Sequence, residues 1–146
     1  MADQIVFESK SLDDLEKVCQ YIIPVIGPGT IFLFDGEMSA GKTTLISKTL
    51  RHLNIRNISS PTYAIHQVYD YKKNKIHHLD LHRLETADDI ESAGIWDFFQ
   101  DTTAIFFIEW AQKIKKSNWP LNFKIFQIQM TKNSDQRIIQ ITQFKN

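Results

Sequence analysis

The chain has 146 residues, 42% of them hydrophobic and 12% aromatic, which is enough apolar material to pack one domain and unlike the composition of a disordered segment. Lys+Arg and Asp+Glu both number 17, so a protein that grips nucleic acid by bulk charge is disfavoured, whereas one that meets RNA through a partner is not. The single cysteine, Cys19, excludes an internal disulfide and suits a reducing compartment. No signal-like leader opens the chain and no apolar run approaches the roughly 18 residues of a membrane span, so a soluble, cytoplasmic protein with no membrane contact is expected.

Residues 1–146 read as a single domain of alternating elements. IVFES (5–9) suits a first strand. Ser11 and Asp14 have the spacing of a capping box, and Leu12, Leu15, Val18, Cys19, Ile22 and Ile23 follow helical spacing up to Pro24. TIFLFD (30–35) is nearly all apolar, as a strand buried on both faces should be. A glycine-bearing loop follows, then a helix to about Asn54. TYAIHQVYDY (62–71) and KIHHLDLHRL (75–84) predict a hairpin. Thr86 and Asp89 form a second possible capping box, and a turn of helix is expected near Gly94–Gln100. AIFFIEW (104–110) is a second buried strand ending in an acid. FKIFQIQM (123–130) and RIIQITQF (137–144) flank the turn sequence KNSD. IWDFFQ (95–100) reads as core, with a docking surface as the alternative. Lys113, Lys115 and Lys116 read as a solvated basic face, or else as a contact for tRNA or a partner.

The loop GEMSAGKTT (36–44) fits G-x-x-x-x-G-K-[ST] and lies between a buried strand and a helix, the context that motif requires. Glycines let the backbone curl so that successive N–H groups face phosphate oxygens, and the helix start adds its positive end. Gly36, Glu37, Met38, Ser39, Ala40, Gly41, Lys42, Thr43 and Thr44 are the candidate ATP-binding residues. Lys42 would reach the β- and γ-phosphates and Thr43 would ligate Mg²⁺. Glu109, at the end of IFFIE, supplies the acid that completes such a metal site, where aspartate is commoner. Strands and helices in this order predict an α/β fold. Its form is a P-loop NTPase-like three-layer sandwich, a mixed, mostly parallel central sheet flanked by helices, with antiparallel hairpins.

As a strand, KIHHLDLHRL puts His78, Asp80 and His82 on one face. Three readings stay open on spacing alone. Asp80 serves the nucleotide through magnesium or the attacking water; or the three residues bind a transition metal; or they form a structural cluster, with Asp80 paired to Arg83 or a histidine. Ser60 and Thr62 in SSPTY could sense the γ-phosphate, although such a stretch is also ordinary loop chemistry.

Taken in order, GEMSAGKTTL, SSPTYAIHQVY, HHLDLHRL and FFIEW resemble the bacterial P-loop ATPases of tRNA threonylcarbamoyladenosine synthesis, over about residues 30–113. The resemblance implies a small accessory ATPase, with ATP and Mg²⁺ as cofactors. Its partner would be the threonylcarbamoyl-transferase heterodimer, which modifies tRNA beside the anticodon, and tRNA would be met only indirectly. It implies that Lys42, Asp80 and Glu109 carry catalysis, that Thr43 and Glu109 hold the metal, and that Ser60 and Thr62 belong to a switch-like loop. The chain departs from the family pattern at Ser39, His82, Ala111 and Gln112. Two other readings are a small-molecule kinase and a non-hydrolysing nucleotide-dependent switch. A kinase usually needs an arginine-rich lid, and Arg137 is the single arginine in residues 110–146.

Overall fold

The computed structural model describes residues 4–11, 13–37, 40–58 and 66–144. Seven strands form one sheet in the order β1-β7-β6-β2-β5-β4-β3: β1 (Gln4–Ser9), β2 (Thr30–Gly36), β3 (His66–Tyr71), β4 (Asn74–Asp80), β5 (Ile105–Glu109), β6 (Lys124–Asn133) and β7 (Gln136–Gln143). The sheet is mixed. β2 pairs in parallel with β5 and β6, and β4 in parallel with β5. The β1–β7, β6–β7 and β3–β4 pairs are antiparallel.

The apolar runs are explained by burial on both faces. Residues 30–35 and all of β5 are buried. Strand alternation sends Phe32, Phe34, Ile105, Phe107, Phe126 and Ile128 to one layer. There they meet α1 (Leu15–Ile22) and α2 (Lys42–His52), with Phe32 stacked on Phe107 at 5.2 Å and on Phe126 at 5.3 Å. Ile31, Leu33, Phe106, Ile108 and Ile125 face the other layer, which holds α3 (Ala87–Ser92) and α4 (Ile95–Phe98). Burying each such phenylalanine contributes roughly 2–3 kcal/mol. Within IWDFFQ, Ile95 and Phe99 are buried, so that stretch is core.

Several local expectations change. Helix α1 begins at Leu15, and no side chain caps it. Asp14 Oδ2 instead accepts from the Lys10 amide at 2.8 Å, and Ser9 Oγ donates to the Ser11 carbonyl, so the Ser11–Asp14 box is not made. Leu12 lies outside the described residues. Pro24 ends α1, but the chain runs on as a 3-10 turn over Ile23–Val25. The Thr86–Asp89 box forms in full. β4 stops at Asp80 rather than running to residue 84, and α2 stops at His52. Of the basic cluster, Lys115 and Lys116 are exposed as a solvated face requires, Lys116 lying over the Phe144 ring at 4.3 Å, whereas Lys113 is partly buried and its Nζ donates to the His82 and Leu84 carbonyls.

The site follows from the parallel centre. β2, β5 and β4 point the same way, so the loop after β2, Glu109 and Asp80 emerge at one end of the sheet. β2 has β5 on one side and β6 on the other. A strand whose neighbours diverge in this way is where open α/β sheets place ligands.

Candidate functional site

Two glycines shape the loop. Gly36 has φ 147°, and a Cβ there would lie 2.3 Å from the Met130 carbonyl oxygen of β6. Gly41 has φ 98° and precedes α2. Between them, the Ala40 amide bonds the Glu37 carbonyl at 3.0 Å. Helix α2 has no acidic residue in its first turn and no side-chain cap. Its leading N–H groups and partial positive charge are therefore offered to an external anion.

Lys42 is 3% exposed. Its Nζ donates to the Gly36 and Glu37 carbonyls, the latter at 2.9 Å, and lies 4.3 Å from the centroid of the Trp110 ring. Burial pulls its pKa below that of an ordinary lysine, opposed by the charges of Glu109, Asp80, Asp35 and Glu37. Trp110 takes φ 59°, a left-handed conformation that is costly for so bulky a residue. In this pose its ring also meets His82, at 4.8 Å.

Glu109 is the centre of a buried chain of side chains. Thr43 Oγ1 donates to its Oε1 at 2.6 Å, and its Oε2 lies 2.7 Å from His78 Nε2. Glu109 and His78 are 2% and 1% exposed. The tautomer protonated at Nε2 gives Glu109 its second donor. His78 Nδ1 finds no partner among the described residues.

Asp80 is in register with Glu109 on the neighbouring strand. Burial raises its pKa, partly countered by the His82 amide, which donates to its Oδ1 at 2.9 Å. That bond turns the chain out of β4. His82 therefore leaves the strand face it was expected to share with His78 and Asp80. Among the described residues no three His, Cys, Asp or Glu side chains are arranged to hold a metal ion, which removes the transition-metal reading there.

The structure thus gathers Gly36, Glu37, Gly41, Lys42, Thr43 and Glu109 into one site, with Asp80 beside it. Ala40 is buried under the loop, and Thr44 is exposed on α2. Met38, Ser39, Ser60 and Thr62 lie outside the described residues. The sequence reading missed His78 as the partner of Glu109, although alternation already put it on the face of Asp80. A hydroxyl and a carboxylate oxygen in contact, beside a lysine and an uncapped helix start, are the hard donors and cationic setting that a magnesium–nucleotide complex requires. The residues present fit that group.

The fold and this arrangement define a P-loop-like α/β protein. The sequence profile of the family described as threonylcarbamoyl adenosine biosynthesis protein TsaE matches residues 9–139, and the chain belongs to that family. It is 34% identical over 103 residues to the tRNA threonylcarbamoyladenosine biosynthesis protein TsaE of Borreliella burgdorferi, a match covering 70% of this chain and 73% of the relative. It is 39% identical over 80 residues to the Haemophilus influenzae protein of the same name, covering 54% of this chain and half of that relative. The crystal structure of Bacillus subtilis YdiB superposes with a TM-score of 0.76 at 21% identity, over 100% of this chain and 89% of the other, and so shares the fold. Among the described residues no helix is long and apolar enough to cross a membrane.

Proposed function

We propose that the protein is a magnesium-dependent ATPase that supports threonylcarbamoyladenosine modification of tRNA, acting on the threonylcarbamoyl-transferase heterodimer and meeting tRNA through it. The observation that carries this reading is the convergence of Lys42, Thr43 and buried Glu109 at the uncapped start of α2. Family membership supplies the pathway.

Bound magnesium would neutralise charge across the β- and γ-phosphates. The amides of the described loop residues, 36–37 and 40–44, would cradle the phosphates. Lys42 exchanges its carbonyl partners for phosphate oxygens. Thr43 Oγ1 and Glu109, the latter oriented by His78, would hold the metal. Asp80, with its pKa raised by burial, orients the attacking water and accepts its proton. With no partner bound, turnover is slow.

The test is phosphate release from Mg-ATP by the chain alone and with the heterodimer and tRNA, beside Lys42→Ala. Slow release that rises with the partners and vanishes in the variant is expected. Release unaffected by the partners, or surviving in Lys42→Ala, would overturn the reading. Transfer of phosphate to a nucleoside or sugar would point to a kinase instead.

A further inference from the structure

Arg137 stands on the flank of the glycine loop opposite Glu109. It lies near the start of β7, in register with Lys132 of β6 and Ser9 of β1. Its side chain reaches back across the loop. A Cβ on Gly41 would meet Arg137 Nε at 3.2 Å and Cδ at 3.7 Å, with Met130 Cε also at 3.7 Å. Nε is buried and finds no acceptor among the described residues.

This is an adverse place for a cation unless an anion joins it. The start of α2 carries partial positive charge, Lys42 is the next residue, and the first turn of α2 has no acid. A guanidinium N–H that is buried without an acceptor adds a desolvation cost. Lys42 has the carboxylates of Glu109, Asp80, Asp35 and Glu37 near it, but among the described residues Arg137 forms no ion pair. The missing partner should be a multiply charged anion lying along Gly41–Thr44.

The flank decides which part of it. β5 and β4 bring Glu109, His78 and Asp80 to one side of the loop, where the reading above puts the reacting phosphate. β6 and β7 bring Met130 and Arg137 to the other side. We propose that Arg137 is a nucleotide-binding residue that grips the non-transferred diphosphate from the β6–β7 side, a role that rests on the nucleotide reading of the loop. Arginine suits it, because its planar fork can meet two phosphate oxygens while its stem packs on Gly41.

The experiment titrates ADP and, separately, inorganic pyrophosphate, each with Mg²⁺, into the wild-type chain, Arg137→Met, Arg137→Lys and Lys42→Ala. Methionine keeps an unbranched stem over Gly41 and removes the charge. Arg137→Met should weaken ADP and pyrophosphate alike, by roughly 10- to 100-fold. Arg137→Lys should recover part of the loss, and the nucleotide-free melting temperature of Arg137→Met should not fall. Unchanged ADP affinity in Arg137→Met would overturn the proposal. So would weakened ADP with unchanged pyrophosphate, which would move the arginine to the base. A loss of binding matched by a loss of nucleotide-free stability would also overturn it, by making the residue structural. If Lys42→Ala loses binding and Arg137→Met does not, the reading of the loop stands and only Arg137 falls. If the wild-type chain binds neither ligand, both fall together.

Discussion

Replacing His78 by leucine would take the donor from Glu109 Oε2 in a place where water cannot replace it. The two side chains are 1% and 3% exposed and 2.7 Å apart. Hydrogen bonds to charged groups contribute about 1.5–3 kcal/mol, and a buried oxygen left unpaired costs a similar amount. Thr43 still satisfies Oε1, so a single oxygen is orphaned. With some gain from the new apolar side chain, a net loss of about 2 kcal/mol is expected. Glu109→Leu should cost a comparable amount by stranding buried His78 Nε2, while the partly exposed Thr43 hydroxyl, which also loses its acceptor, turns to water. The double variant removes both polar partners together and should lose far less than the sum, giving a coupling of about 2 kcal/mol. Urea unfolding of the four proteins measures this, provided their slopes agree. Each single variant should also melt roughly 4–8 °C lower. Additivity within about 0.5 kcal/mol would mean that the contact does not hold Glu109 in place, and the account of the metal-side acid would fail.

Gly36→Ala should lose at least ~2 kcal/mol of stability, because the new methyl would lie 2.3 Å from a β6 backbone carbonyl that the sheet holds fixed, at a φ that disfavours alanine. A melting temperature equal to wild type would refute that account. His77 stacks on Phe106 and Phe98 and lies 2.7 Å from His66. Burial, helped by His66, lowers its pKa to about 4. Because the fold favours the neutral ring, this contribution is complete above about pH 6.5 and is lost as pH falls towards 4. Its size is about 2 kcal/mol after allowing for partial exposure, and the drop between pH 6.5 and 4.5 should be shallower in His77→Phe.

The features that depend on local geometry were legible in the sequence. GEMSAGKTT carries its own conformational demand, two uninterrupted apolar runs marked the parallel centre, and Thr86–Asp89 made its predicted cap. Failures arose where a distant or competing partner decided the outcome. Lys10 drew Asp14 away from Ser11. Asp80 capped the amide of His82 and ended β4 early. His78 found Glu109, and Arg137 came to rest against Gly41, through strand registers that no local spacing encodes. Ser60 and Thr62, expected to belong to a switch-like loop, lie outside the described residues.

Phe34, Glu109 and Asp80 are register partners across β2, β5 and β4. A slip of one residue in β5 would turn Glu109 towards the α3 layer and leave Thr43 without its acceptor. The hairpins β3–β4 and β6–β7 can form early from neighbouring residues, whereas the β2–β5 pair must close a long loop first. The acid is therefore expected to reach the threonine late in folding. A nucleotide that engages both should leave the refolding rate nearly unchanged and slow unfolding instead, so that occupancy lengthens the lifetime of the finished molecule without hastening its birth.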